Sequence, residues 1–163
     1  MKQIIAALLL TCIITFIDIY EPDKSQFLHP GGVQAQEPDP RIEKIQTYLE
    51  KHNSPISHLA KFIVDVSYLY GIDPYFLVAI AGTESTFCKF TPDLSYNCFG
   101  WGIHSGKVLR FNSYAEGIET VARGLNTERY REKSIEEIAQ IYCAKPEKWA
   151  SSVRWFIYEI KSK

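Results

Sequence analysis

The 163 residues contain no C-x-x-C pair, no long run of charges of one sign, no apolar stretch of full membrane-spanning length and no internal repeat. Each absence removes a class. Without paired cysteines a zinc finger or ribbon has no ligand frame. With 18 basic against 19 acidic residues and a net charge of −1, there is neither the basic face of a nucleic-acid binder nor a polybasic membrane patch, so nucleic acid is not expected as a partner. Cysteine itself is scarce. Of the four, Cys12 falls in the N-terminal apolar run and leaves Cys88, Cys98 and Cys143. In an oxidising compartment an odd number means one pair and one leftover thiol, and the expected disulfide joins Cys88 to Cys98, worth ~2–3 kcal/mol as a loop closure.

Several features are present in their place. Lys2 precedes residues 3–17, apolar except for Gln3, Thr11, Cys12 and Thr15, and Asp18 ends the run. A spanning helix wants about 20 apolar residues, so residues 1–20 are expected to be a signal peptide. Val33-Gln34-Ala35 resembles a cleavage site but lies far from the run, which keeps a retained membrane anchor through residues 3–17 as the alternative. Both imply export, to the periplasm, the cell surface or the medium. Residues 21–40, with four Pro, two Gly and no period, read as a linker.

From Arg41 the apolar residues fall into helical stripes. Ile42, Ile45, Tyr48 and Leu49 share one face. Ser54-Pro55 and Asp73-Pro74 read as helix starts, each a cap followed by proline, and Gly71 as a stop. The stretch from Pro74 to about Ser85 is apolar nearly all round, which predicts the central, most buried helix. Ser113 with Glu116 and Ser134 with Glu137 fit the capping box, and a last amphipathic helix is expected from about Pro146, carrying Trp149, Val153, Phe156, Ile157 and Ile160. Between residues 87 and 112 Pro and Gly interrupt a run dense in aromatics, with residues 108–111 expected as a short strand paired to residues 101–103. The fold class is therefore mainly α, one domain over residues 41–163 with a small irregular or β insertion after the central helix.

One carboxylate stands out. Counting back from Glu84 by helical spacing gives Ala81, Ile80 and Leu77, so it shares the apolar face of its own helix, where desolvation disfavours the charged form. A carboxyl that keeps its proton near neutral pH can serve as a general acid on a glycosidic oxygen. The plainer reading is a solvated helix end, or a partner for a buried serine or backbone amide. Spacing alone leaves the two level.

Three blocks go further. Leu77-Val78-Ala79-Ile80-Ala81 leading into Glu84-Ser85-Thr86-Phe87 is similar to the soluble lytic transglycosylase signature, and Asn97-Cys98-Phe99-Gly100 is similar to the N-x-F-G element of bacterial endo-N-acetylglucosaminidases. Ile141-Tyr142-Cys143-Ala144, followed by Trp149 and Val153, resembles the transglycosylase segment in which a Tyr precedes a short loop and a W-x-x-x-V helix. Across residues 54–160 the chain thus resembles the lysozyme-like superfamily of peptidoglycan-cleaving enzymes. The resemblance implies a lysozyme-like fold, no cofactor, no metal, and peptidoglycan glycan strands as partner. It further implies a lytic transglycosylase or glucosaminidase that cuts β-1,4 bonds, with Glu84 as acid and then base. Ser85 matches the residue that supports the sugar or the acid, and Tyr142 the one lining the subsite near the N-acetyl group. A lytic transglycosylase needs no second carboxylate, because the acetamido oxygen and 6-hydroxyl of the substrate complete the reaction to a 1,6-anhydro product. A hydrolase needs one roughly 5–10 Å away, with Asp93, Glu116 and Glu119 as candidates.

The chain also departs from those patterns. Gly100-Trp101-Gly102-Ile103-His104 stands where G-L-M-Q is usual, and Tyr142-Cys143-Ala144-Lys145 where Y-N-A-G is. The departures keep open a catalytically inactive module that binds peptidoglycan or serves envelope assembly. Trp101 is expected as a cleft wall, since glycine on both sides lets backbone approach a ligand. Phe90, Tyr96, Phe99 and Phe111 either stack on sugar rings or fill a small core under the loop. Ser95, a candidate substrate contact, and Asn97 either bond the loop to itself or orient Glu84 and substrate.

Overall fold

Helix starts are set by short acceptors followed by proline. In α1 (Pro40–Lys51) the Asp39 carboxylate accepts from the Arg41 N–H at 2.9 Å while Pro40 fills the first turn, and Ile45, Tyr48 and Leu49 turn inward. The computed structural model describes residues 37–103 and 107–162. The expected signal peptide or anchor, the linker as far as residue 36, and Cys12, His104 and Gly106 lie outside them.

A single 3₁₀ turn, Ser57–Leu59, leads into α2 (Ala60–Tyr70), which ends on Gly71 at φ 65, a left-handed conformation that glycine adopts without a Cβ penalty. The helix thus begins later than Ser54-Pro55 suggests. The Ser54 hydroxyl accepts from the Ile56 N–H at 3.3 Å and donates to the Phe87 carbonyl at 2.8 Å. Next comes α3 (Pro74–Ser85), where Asp73 accepts from the Tyr75 N–H at 2.9 Å. Every residue from Pro74 to Gly82 is buried, as its all-round apolar pattern predicts.

The later helices follow their serines. Ser113 caps α4 (Tyr114–Leu125), but the Glu116 carboxylate accepts from the Asn112 N–H at 2.6 Å, one residue earlier than a capping box requires. Ser134 and Glu137 form both halves of the box at the start of α5 (Ile135–Tyr142). Last is α6 (Pro146–Lys161), burying Trp149, Ala150, Val153 and Ile160.

The longest packing seam joins α3 to α6; α5 lies against α6, α1 and α2 flank α3, and α4 lies on α2. Leu77, Ile80, Phe87, Ile118, Val121 and Val153 meet in this core with 0–1% exposure, each stabilising the fold by roughly 1.5–3 kcal/mol. Among the described residues no single helix is long and apolar enough to cross a membrane.

Residues 86–113 are irregular. The expected pairing of residues 108–111 with residues 101–103 does not form, and the described residues hold one isolated β-bridge position, Lys107, and no strand. The reason is competition for carbonyls. The Asn97 amide donates to the Trp101 and Leu109 carbonyls at 2.8 and 3.0 Å, and the Phe111 N–H goes to the Ser95 carbonyl, so a side chain takes the acceptors a ladder would use. The chain is mainly α with an irregular insertion after its central helix.

Candidate active site

Glu84 is the penultimate residue of α3, at the end of a helix whose other faces are buried, and it is itself half-buried. Burial pushes its carboxyl above the ordinary range, and a hydrogen bond from the Trp149 indole at 2.6 Å to Oε1 pulls the other way; burial prevails. The C-terminal end of a helix disfavours negative charge as well. On the far side of the carboxyl stands Gly100, at φ 61. A Cβ there would come within 2.8 Å of Oε2, so only glycine lets the loop lie against the acid.

The turn that follows is strained and braced. Thr86, Phe87 and Cys88 take successive positive φ values of 52, 58 and 66, each costing roughly 1–2 kcal/mol for a residue with a Cβ. Phe87 is buried edge-on to Tyr48 and Phe156, at ring centroid distances of 5.5 and 5.0 Å. The Cys88–Cys98 disulfide, expected from the cysteine count, closes the loop over ten positions. The Ser85 hydroxyl lies 3.0 Å from the Ala81 carbonyl and 2.8 Å from that of Cys98, and accepts from the Cys88 N–H at 2.9 Å.

Ser85 therefore braces the turn, and it also borders a depression that Glu84 lines. With 4% exposure its hydroxyl is spent on backbone, and it supports Glu84 from beneath. Ser95 is likewise fully buried and accepts from the Asn97 N–H at 3.1 Å. Asn97, with 1% exposure, makes the two donations described above and accepts from the Phe99 and Trp101 N–H groups at 3.3 and 3.1 Å. All of its amide capacity goes to backbone groups of Phe99, Trp101 and Leu109, which fixes the loop on either side of Gly100. Of the two readings open for Ser95 and Asn97, the loop-bonding one is what the structure shows.

Glu84 lines two depressions, and another adjoins them. One, of about 620 Å³, is bounded by Glu84, Phe90, Asp93 and Gly100. Its neighbour, of about 600 Å³, shares Gly100 and Ile103 and is walled by Trp101, Tyr130 and Tyr142. The third, of about 240 Å³, meets the first at Glu84 and the second at Cys143, with Lys145 and Lys148 on its rim. Trp101 fits because Gly124 has no Cβ to meet its ring. Tyr142 stacks on Trp149 at 5.0 Å and lies 5.8 Å from Trp101, while its hydroxyl donates to the Phe99 carbonyl at 2.7 Å. Burial, with the nearby Glu84 charge, holds the Tyr142 phenol well above its ordinary pKa, so it remains a donor at any physiological pH.

No family model, curated protein or solved structure matches this chain. Its motifs and this geometry are the ground for any functional reading. Among the described residues no group of three or more His, Cys, Asp and Glu side chains is placed to hold a metal ion. Of the acids weighed as a second carboxylate, Asp93 borders the same depression as Glu84, whereas Glu116 is held by Asn112 and Glu119 accepts from the Tyr70 hydroxyl at 3.3 Å. Phe99 and Phe111 are core, while Phe90 is 74% exposed at the rim of the cleft.

The residue that sequence reasoning left in a helix stripe is Trp149. A buried indole needs a partner for its N–H, and Glu84 is the acid at the end of the other core helix. That pairing is the signal that would have found it.

Proposed function

We propose that the protein is an exported glycan-strand-cleaving enzyme, a lytic transglycosylase or glucosaminidase acting on β-1,4 bonds of peptidoglycan, with Glu84 as general acid and base. The observation that carries this is a single carboxyl whose pKa is raised by burial, on the wall of one open depression and next to a second that is walled by Trp101, Tyr130 and Tyr142. A neutral Glu84 gives its proton to the linking oxygen as the bond from the anomeric carbon to that oxygen breaks. The resulting carboxylate then takes a proton from water as the water oxygen bonds to the anomeric carbon, in hydrolysis, or from the sugar's own 6-hydroxyl as that oxygen bonds to it, in transglycosylation. Trp101 and Tyr142 are aromatic walls of the adjoining depression, of the kind that pack against pyranose rings, and the disulfide fits an oxidising compartment. A lysozyme-like kinship, suggested by the three motif blocks, is consistent with the central acid-bearing helix.

Digestion of purified peptidoglycan tests the reading. Wild type should release soluble fragments and Glu84→Gln should lower the rate ~10²–10⁴-fold, the usual worth of a general acid. Anhydro-muramic ends would identify a transglycosylase, reducing ends a hydrolase. Release unchanged by the substitution would remove Glu84 from the chemistry, and no release by wild type would leave the non-catalytic binding module. Because the acid must be protonated, the rate should fall as pH rises through the raised pKa of Glu84.

A further inference from the structure

The two oxygens of Glu84 are in different surroundings. Oε1 receives the Trp149 indole N–H at 2.6 Å, from a ring with 4% exposure. Oε2 faces the notch left by the missing side chain of Gly100, at the junction of the depressions. An indole nitrogen is a donor only, so the oxygen it touches must offer a lone pair. In a neutral carboxyl the carbonyl oxygen is the better acceptor, and the hydroxyl proton belongs on the other oxygen.

We propose that Trp149 is the positioning residue of this site: by holding Oε1 as the acceptor it assigns the transferable proton to Oε2, aimed at the Gly100 side of the cleft. The indole itself is held firmly. Tyr142 stacks on one side at 5.0 Å, Phe76 meets it edge-on at 6.5 Å, and Tyr142 is in turn tied to the Phe99 carbonyl. Rotating the carboxyl to present the wrong oxygen would break the indole bond, the one hydrogen bond that N–H makes among the described residues. A leaving group is therefore protonated from one side only, so the bond to be cut must lie over Gly100 rather than over Lys145 and Lys148. The catalytic use of this arrangement rests on the function proposed above; the arrangement itself is a property of the resting protein. The ionisable groups bordering the two depressions that Glu84 lines are Lys89 and Asp93 from the loop, Cys143 beyond α5, and Lys145 and Lys148 at the start of α6; Tyr142 packs behind.

The full chain, labelled with ¹⁵N in tryptophan and ¹³C at the glutamate carboxyls, is titrated by NMR, with Glu84→Gln and Trp149→Phe to assign the signals. The Trp149 indole signal should move with the same midpoint as the Glu84 carboxyl and should not titrate in Glu84→Gln. In Trp149→Phe, whose ring keeps contact with Tyr142 and Phe76, the Glu84 midpoint should move upward, since a donor to the charged form is lost; its thermal melt reports that the fold is intact. On peptidoglycan this variant should lose about tenfold or more in kcat with KM little changed. An indole signal flat through the Glu84 titration, or a Glu84 midpoint unmoved in the folded Trp149→Phe protein, overturns the assignment. Coupled titration without any glycan cleavage overturns the proposed activity and leaves the assignment standing.

Discussion

At the scale of the residue, Glu84 is held in a position that costs stability. Its folded pKa lies above the ordinary 4.5 because burial penalises the charged form. Below that ordinary value both folded and unfolded chains are protonated and nothing is lost. As pH rises the unfolded chain ionises first and the folded one lags, so stability falls until the raised pKa is passed. Glu84→Gln, which keeps an acceptor for Trp149, should melt close to wild type near pH 4 and above it near pH 7. Melting curves at the two pH values decide this, and a difference independent of pH would mean that Glu84 ionises without penalty. The place of Glu84 on the apolar side of its helix was legible, because helical spacing ties it to Leu77, Ile80 and Ala81, while its reading as an acid came from the motif blocks. Its partner was not legible, since Trp149 stands 65 positions away and only the docking of α6 on α3 brings it near. Ser85 was legible as part of the same motif, but its direction was not; a serine next to an acid can face ligand or backbone, and here it faces backbone.

Among elements, the insertion is where local rules lose to a side chain. Helix starts at Asp73-Pro74 and Ser134 read correctly because caps act within a few residues. The short strand did not form because Asn97, buried and fully bonded, captures carbonyls that alternating sequence assigned to a ladder. Nothing within four residues of Leu109 announces that. The same loop is closed on itself by the Cys88–Cys98 disulfide and tied to the end of α3 by the Ser85 hydroxyl. Replacing both cysteines with alanine should cost ~2–3 kcal/mol, measured as a lower urea midpoint. The lost brace should also reduce glycan cleavage at temperatures where the variant is still folded. A midpoint equal to that of wild type would show that burial alone holds three left-handed residues in place.

For the whole molecule, the helical unit from Pro38 onward centres on one seam, α3 against α6. Apolar patterns marked the first of these helices as buried all round and the second as amphipathic, whereas which neighbour each would face has no local period to read. A chain ended after Ala144 lacks α6 and removes Trp149 and Phe156 from the face of α3 at Phe76, Gly82 and Glu84. It should melt without a cooperative transition and release no glycan; cleavage by such a truncated chain would show that α6 is dispensable. The seam also sets a timetable. During synthesis the acid emerges long before the indole that orients it, separated by 65 positions, so a nascent chain holds its reactive group in an unassembled setting. An enzyme that cuts cell-wall strands would then be latent until its last helix docks, with biosynthesis itself serving as the safety catch.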